Sequence, residues 1–214
     1  MKIKWYGHSA FRLTTGEAVS IIVDPYQPGG LGGSINYDRI TDQADVVLIS
    51  HDHEDHNYTA GIKGHFTVIR ERGSYNIKGV KIEAVPTSHG AGMGPNMVFV
   101  IEAEGLKLMH LGDIGHTLPR NTTNQLGKID VLMIPVDGVY TLDLREATQM
   151  INDLKPSLVF PMHFKTEKGG RTIGPLEPFV QGKQRVKTIS NSEIEVNAGM
   201  LPDEAEIILL CYDK

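Results

Sequence analysis

Cysteine is almost absent from this chain of 214 residues, in which Cys211 is the single example. An intramolecular disulfide is therefore excluded, and so is a metal site built from several thiolates. Cys211 lies near the end of the last predicted strand, where we expect a buried structural thiol rather than a nucleophile. Long apolar runs are lacking as well, because no stretch approaches the ~18 residues that a membrane span needs.

The chain also lacks a basic run. Lysine and arginine number 21 against 26 aspartates and glutamates, which gives a formal net charge of −5. Because nucleic-acid-binding proteins usually carry a basic stripe, this balance disfavours a nucleic-acid partner. No apolar signal core precedes the first predicted strand, so we expect a cytoplasmic protein without membrane contact.

What the chain does contain is typical of a soluble globular protein, with 40% hydrophobic and 22% charged residues. We find no linker, low-complexity tract or close repeat, and we expect one domain over residues 1–214. Short strands dominate the first half, and helices and strands alternate later, which predicts two packed sheets flanked by helices. The predicted strands are residues 3–6, 10–14, 19–23, 44–50, 66–70, 74–78, 80–85, 97–102, 106–111, 131–134, 158–162 and 206–211, and the predicted helices are 57–62, 119–126, 144–154 and 176–181.

The most informative stretch is His51-Asp52-His53-Glu54-Asp55-His56, directly after a predicted buried strand. Alternate residues of an extended segment point the same way, so His51 and His53 can converge on one point. Asp55 and His56 follow once the chain has begun to turn, and they can face a second point nearby. The alternative is a polar surface turn or a helix cap. Imidazole and carboxylate groups together suit zinc, iron or manganese, and we interpret these four residues as metal ligands.

Three further candidate ligands also follow predicted strands: His89, Asp113 and His163. Strand ends at one edge of a sheet are where a rigid scaffold can hold loop residues together. A lone histidine after a strand is more often a hydrogen-bonded structural residue. Four strand ends with such residues, after a complete His-x-His-x-Asp-His motif, favour a shared metal site instead.

In these residues the sequence resembles the metallo-β-lactamase superfamily. The matching motifs run in the family's order: the His51 to His56 cluster, Ser88-His89, Leu111-Gly112-Asp113 and Pro161-Met162-His163. The opening Trp5-Tyr6-Gly7-His8-Ser9-Ala10-Phe11 with Asp24-Pro25 resembles the branch that includes the ascorbate-6-phosphate lactonases and many small metal-dependent hydrolases. His8 and Asp24 could fix the orientation of a ligand, or they could be satisfied polar residues at sheet ends.

The resemblance implies an α+β fold, a four-layer αββα sandwich with two metal ions at the shared edge of its sheets. One metal would be held by His51, His53 and His89. The other would be held by Asp55, His56 and His163. The Asp113 carboxylate would bridge both ions. Zinc is the metal expected first, with manganese or iron as the alternatives.

The implied function is a binuclear metal-dependent hydrolase. Two divalent metals can share a water whose pKa falls to about 7, and the bridging hydroxide attacks an ester, lactone or phosphodiester. Asp55 and Asp113 are the expected catalytic carboxylates, and His116 is a candidate proton donor or substrate contact. The metal pair keeps a net positive charge, which favours a small anionic substrate.

Other functions remain open at this stage. The same superfamily contains nucleases and phosphodiesterases, and the same ligand set can hold iron in a redox protein. A metal-dependent regulatory module is a further alternative outside enzymes. The sequence does not define the oligomeric state.

The glycine-rich segment after Asp24 suggests a mobile part of the site. Residues 29–33 contain four glycines, and we predict that they border the metal pocket and close on substrate. Tyr26 or Tyr37 would supply the contact. The alternative is a plain surface loop on the opposite edge. A second glycine-rich loop, residues 90–96, is predicted to be a flexible wall of the pocket or a backbone nest.

Overall fold

The computed structural model describes residues 1–213 and contains fourteen strands and four short α-helices. The strands, in chain order, are β1 Lys2–Gly7, β2 Ala10–Thr14, β3 Ser20–Val23, β4 Val46–Leu48, β5 Thr67–Ile69, β6 Gly73–Ile77, β7 Val80–Ser88, β8 Pro95–Ala103, β9 Leu106–His110, β10 Val131–Pro135, β11 Leu158–Met162, β12 Val186–Ile189, β13 Glu193–Glu195 and β14 Glu206–Leu210. The helices are α1 Gly30–Gly33, α2 Arg120–Leu126, α3 Leu144–Leu154 and α4 Glu177–Val180.

The strands form two sheets. The first has six strands in the order β13-β1-β2-β3-β4-β5, and the second has eight in the order β12-β14-β11-β10-β9-β8-β7-β6. Apolar side chains from both sheets share one core, in which Ile3, Leu13 and Leu48 of the first sheet join Leu108 and Met133 of the second. This two-sheet arrangement confirms the fold predicted from the sequence.

Different layers cover the outer faces of the two sheets. Every residue of β10 and β11 is buried, as expected for central parallel strands covered on both sides. Helix α3 covers this sheet and buries Ala147, Met150 and Leu154, which recur at helical spacing. The outer face of the first sheet packs mainly against irregular segments, including the buried rings of Tyr26 and Tyr37. Among residues 1–213, no helix has the length and apolar character that spanning a membrane would require.

Strand direction brings many strand ends to one edge. In the first sheet β3 and β4 are parallel, and β1 shares their direction because it is antiparallel to β2, which is antiparallel to β3. In the second sheet β9, β10 and β11 are parallel, and β7 shares their direction through two antiparallel pairings. The carboxyl ends of these parallel-running strands therefore point to the same edge within each sheet.

Most predicted elements are present, and the structure differs from the sequence-based assignment in four places. Residues 57–62 are mostly irregular, with a turn at residues 60–61, and do not form a helix. The glycine-rich segment contains the short α1, although Leu31 and Gly32 within it have left-handed backbone angles. Strands β12 and β13 were not predicted, because they are short, contain polar side chains and bury none of their residues fully. Cys211 is exposed and not buried, since β14 ends one residue earlier, at Leu210.

Candidate metal centre

Seven strands deliver a polar side chain to the shared edge of the two sheets. Each of these residues follows the carboxyl end of its strand by one to three positions: His8 after β1, Asp24 after β3, His51 after β4, His89 after β7, Asp113 after β9, Asp137 after β10 and His163 after β11. The sequence identified four of these strand ends as sources of ligands. The structure adds those of β1, β3 and β10.

Three of these residues have a left-handed backbone. The φ angles of His8, Asp24 and His163 are 53°, 47° and 52°. This conformation is uncommon for residues other than glycine, although aspartate and histidine adopt it more readily than most. Strained residues of this kind concentrate at functional sites and cost roughly 1–3 kcal/mol each. The chain thus retains side chains at three turns where glycine would be less strained.

The first set of candidate ligands consists of His51, His53 and His89. One ligand atom from each lies within 4.8 Å of the others. The Nδ1 atoms of two of the rings have neighbours elsewhere, because His51 Nδ1 is 2.8 Å from Ser50 Oγ and His89 Nδ1 is 2.9 Å from the Gly90 carbonyl oxygen. The Nε2 atoms of His51 and His89 are therefore the ones that face the centre of the cluster.

The second set consists of Asp55, His56 and His163, and His8 joins it. Their ligand atoms also lie within 4.8 Å of one another. His8 Nε2 is 2.9 Å from Asp55 Oδ2, and His56 Nε2 is 3.5 Å from the same oxygen. Of the two readings of His8 that the sequence left open, this contact supports the one in which His8 orients a ligand.

Asp113 lies between the two sets. Its Oδ2 atom is 3.3 Å from His89 Nε2, 3.3 Å from His56 Nε2 and 3.1 Å from His163 Nε2. The Asp113 backbone N–H donates to Asn96 Oδ1 at 3.0 Å, which fixes the turn after β9. Gly112 permits this turn because its φ is 55° and a Cβ there would lie 2.7 Å from Ser50 Cβ.

Several buried polar atoms of the cluster have no hydrogen-bond partner among residues 1–213. They are His51 Nε2, His56 Nε2, Asp55 Oδ1 and Asp113 Oδ1, together with His8 Nδ1 and His163 Nδ1. Buried polar groups are nearly always paired, so the first four of these atoms, which lie among the candidate ligand groups, need a common partner. Imidazole nitrogens and carboxylate oxygens are the donor set of zinc, manganese and iron sites, and the residues present fit such ions.

The electrostatics of the cluster also favour positive charge beside Asp113. Burial raises the pKa of Asp113, but the neighbouring His163 and His56 outweigh burial and hold that pKa well below its usual range. Burial lowers the pKa of His163, yet Asp113 and Asp137 outweigh it and raise that pKa to about 10. Two carboxylates thus stabilise a cation at this position.

Asp24 connects one imidazole of each set. The carboxylate is fully buried, and its Oδ2 is 2.9 Å from His56 Nδ1 and accepts a 2.6 Å hydrogen bond from Ser50 Oγ. The same Ser50 Oγ is 2.8 Å from His51 Nδ1. Carboxylates that contact the far nitrogen of a ligating histidine fix its tautomer and ring orientation.

Sequence reasoning missed Asp137. Its Oδ2 lies 3.7 Å from His163 Nδ1 and accepts the Tyr140 backbone N–H at 3.0 Å, and Thr141 Oγ1 donates to its other oxygen. Asp137 thus faces the outer nitrogen of a candidate ligand, as Asp24 does for His56. The signal was present, because Asp137 follows β10 just as Asp113 follows β9.

The structure does not bring His116 into the cluster. Its Nε2 accepts the Ser88 backbone N–H at 3.4 Å, and its Nδ1 is 3.1 Å from the Thr117 carbonyl oxygen. His116 is not among the residues that line the cavity over the cluster. His110, three residues before Asp113, is fully buried with its Nε2 2.9 Å from the Ser9 carbonyl oxygen.

A cavity of about 270 Å³ opens over the cluster. It is lined by His8, His53, Asp55, His89, Asp113 and His163, together with Leu31, Ser34, Ile35, Met93, Tyr140, Gly170, Thr172 and Ile173. Leu31 belongs to the glycine-rich segment 29–33, which therefore borders the pocket as predicted. The predicted tyrosine contacts are wrong, because Tyr26 and Tyr37 are each only 1% exposed and form part of the core.

Comparison with known proteins agrees with this geometry. A family model described as a beta-lactamase superfamily domain matches residues 2–163. A solved structure from Thermotoga maritima, assigned to the Zn-dependent hydrolases of the metallo-beta-lactamase superfamily, is 34% identical with a TM-score of 0.82 and covers 98% of this chain and 97% of its own.

Curated relatives give the same result. One from Pyrobaculum arsenaticum, named UPF0173 metal-dependent hydrolase, is 30% identical over 192 residues, which cover 78% of this chain and 85% of the relative. Another of that name, from Carboxydothermus hydrogenoformans, is 28% identical over 196 residues with the same two coverages. The chain therefore belongs to the beta-lactamase superfamily, as one of its metal-dependent hydrolases.

Proposed function

We propose that the protein holds two divalent metal ions and hydrolyses an ester, lactone or phosphodiester bond of a small, anionic substrate. The observation that carries this proposal is the position of Asp113. Its Oδ2 is 3.3 Å from His89 Nε2, in the first ligand set, and 3.1 Å from His163 Nε2, in the second. A carboxylate between two clusters of ligand atoms is suited to bridge two cations.

In this proposal each ion has three protein ligands of its own. The first set supplies only imidazoles, and the second supplies one carboxylate and two imidazoles, with Asp113 shared. Two such ions lower the pKa of a shared water and polarise the substrate oxygen. Zinc fits this donor set best, and manganese or iron also fits it.

The protein's own residues then have distinct tasks. Asp55 contacts His8 through Oδ2, which leaves Oδ1 facing the site, where it can ligate and orient the attacking water. Asp24 and Asp137 keep the ligating rings in place from behind. No side chain has to attack the substrate, because water is the nucleophile in hydrolysis of this kind.

Cavity size and charge support a small, anionic substrate. A volume of about 270 Å³ is close to the lower end of small-molecule pockets, roughly 300–1,000 Å³. Two divalent ions with the carboxylates of Asp55 and Asp113 leave a net positive charge, which attracts an anionic reacting group.

The experiment that tests this function compares metal-loaded and chelator-stripped protein. Separate samples loaded with zinc, manganese and iron are assayed on panels of esters, lactones, thioesters and phosphodiesters. We expect one panel to be hydrolysed by loaded protein only, and activity to return when metal is restored. Complete inactivity on all panels, in protein shown by elemental analysis to be loaded, would contradict the proposal.

A further inference from the structure

The wall of the cavity above the metal ligands is apolar. Its large side chains are Leu31, Ile35, Met93, Tyr140 and Ile173. Among the residues described, 1–213, no lysine or arginine lines this cavity. The wall of this cavity therefore supplies no positive charge for substrate recognition.

The nearest candidate cation is already engaged. Arg171 lies in sequence between the lining residues Gly170 and Thr172, but it is not part of the wall itself. Its Nη2 donates to the Gly32 carbonyl oxygen at 3.1 Å, and its backbone N–H donates to Ser34 Oγ at 3.1 Å. Arg171 thus fastens the glycine-rich segment and does not reach into the cavity.

Two glycine-rich loops each place one large apolar side chain in the wall. Leu31 is the only residue of segment 29–33 that is not glycine, and Met93 is the one large side chain of segment 90–94. Leu31 has a φ of 50°, a conformation that glycine adopts without strain. A leucine at such a position, surrounded by glycines, indicates that the side chain itself is needed.

These side chains remain partly in water when the cavity holds no substrate. Leu31 is 47% exposed and Met93 is 46% exposed. Two of the six exposed large hydrophobic residues of the described chain thus line this one cavity, and apolar exposure of this kind marks a binding site.

We propose that the substrate is an ester or lactone whose body is an uncharged alkyl or aryl group, bound against Leu31, Met93 and Ile173. This inference rests on the proposed function and specifies its substrate class. An ester or lactone group is neutral, so this inference replaces the anionic substrate by an uncharged one, and negative charge develops at the metal ligands only on the carbonyl oxygen as water attacks. In the reaction, the water oxygen bonds to the acyl carbon and the acyl–oxygen bond breaks. One water proton passes to the leaving alkoxide, and the products are a carboxylate, an alcohol and a released proton.

A ligand series can test the apolar wall without relying on turnover. Straight-chain alkyl hydroxamates share one metal-binding head group and differ only in chain length. Burial of each added methylene should tighten binding to zinc-loaded protein about fourfold until the cavity is filled. Titration calorimetry from acetohydroxamate upward measures this slope.

Matched variants locate the effect. Met93→Gln and Leu31→Asn replace the two wall side chains by polar ones, and asparagine accepts the left-handed backbone of position 31. Both variants should flatten the dependence of affinity on chain length, with a larger loss for the longest hydroxamate than for acetohydroxamate. Met200→Gln is the control, because Met200 is 83% exposed and lies outside the cavity wall.

The outcomes separate this inference from the proposed function. An affinity that does not change along the hydroxamate series, or a dependence on chain length that is equal in all variants, overturns the proposal that the substrate has an apolar body. Tighter binding of a phosphate-bearing ligand that is lost in Arg171→Gln overturns it as well. If γ-lactones are hydrolysed at a rate that does not change with their alkyl length, the proposed hydrolase function stands and this inference fails. If affinity rises along the hydroxamate series but no substrate is hydrolysed, the apolar binding site stands and the proposed hydrolase function fails.

Discussion

Asp24 is a single buried carboxylate that organises both sets of candidate ligands. It contacts His56 directly and reaches His51 through Ser50, so it orients one candidate ligand of each set. Burial raises the pKa of Asp24, but the hydrogen bond and charge of His56 outweigh burial and hold that pKa below its usual range. Asp24 is therefore an anion behind the ligands, where it strengthens the binding of cations in front of them.

Two other residues have roles that differ from the sequence analysis. Asp137, which it did not single out, faces a candidate ligand, and His116, a candidate proton donor, does not line the cavity. Asp137→Asn removes the charge facing His163 Nδ1, and we expect a 10–100-fold loss of affinity for the second metal or a comparable loss of turnover. His116→Gln should keep most of both, because His116 contacts only backbone outside the cavity in the described structure. Competition with a chromophoric chelator measures the affinities. Equal losses in both variants would restore the catalytic role predicted for His116.

The candidate ligands could be identified from the sequence because four of them form one dense motif and all of them occur in the order found in the superfamily. Asp137 could not, since one acidic residue after a strand looks like any polar strand end. Tyr26 and Tyr37 were predicted to contact substrate because the surrounding segment, rich in glycine and proline, is typical of an exposed loop. The structure instead folds this segment over the first sheet and buries both rings.

At the scale of single elements, the helix α3 was predicted with its correct start because the capping box is a local signal. Asp143 accepts the Glu146 backbone N–H at 2.7 Å, and Glu146 accepts the Asp143 N–H at 2.9 Å. The irregular start of residues 57–62 is held instead by a distant contact, from Tyr58 N–H to the Pro25 carbonyl oxygen at 2.7 Å. No local pattern could reveal that contact.

The capping box gives a prediction about stability. Asp143→Ala removes the side-chain acceptor at the start of α3 and should lower the free energy of unfolding by about 1 kcal/mol. Urea denaturation of metal-free protein measures this difference. Asp153→Ala, on the exposed side of the last turn, is the control and should not destabilise the protein. An unchanged midpoint in Asp143→Ala would mean that tertiary packing alone holds the helix.

The ligand motif also holds the glycine-rich segment. Glu54 lies between the candidate ligands His53 and Asp55, and its Oε2 accepts the Leu31 backbone N–H at 2.8 Å. Glu54→Ala should release this segment and raise KM several-fold with both metals retained. Asp52→Ala is the matched control within the same motif, because Asp52 faces Asn57 and Arg70 at the surface. Identical kinetics in the two variants would show that segment 29–33 does not contact substrate.

At the scale of the molecule, the candidate metal centre joins the two sheets. His51, His53, Asp55 and His56 follow β4 of the first sheet, whereas His89, Asp113 and His163 follow strands of the second. Direct backbone links also cross this junction, such as His163 N–H to the His8 carbonyl oxygen at 3.1 Å. Ligands from both sheets mean that metal binding stabilises their packing by mass action. The sequence predicted this edge, but only the strand directions show why so many ends meet there.

The number of metal ions per chain tests the central claim most directly. Protein prepared without chelator and saturated with zinc should contain two ions per chain by elemental analysis. Asp113→Ala should lose affinity for both ions together, because one carboxylate faces both ligand sets. Saturation at one ion per chain, or an Asp113→Ala variant that still binds two ions tightly, would contradict a bridged binuclear site.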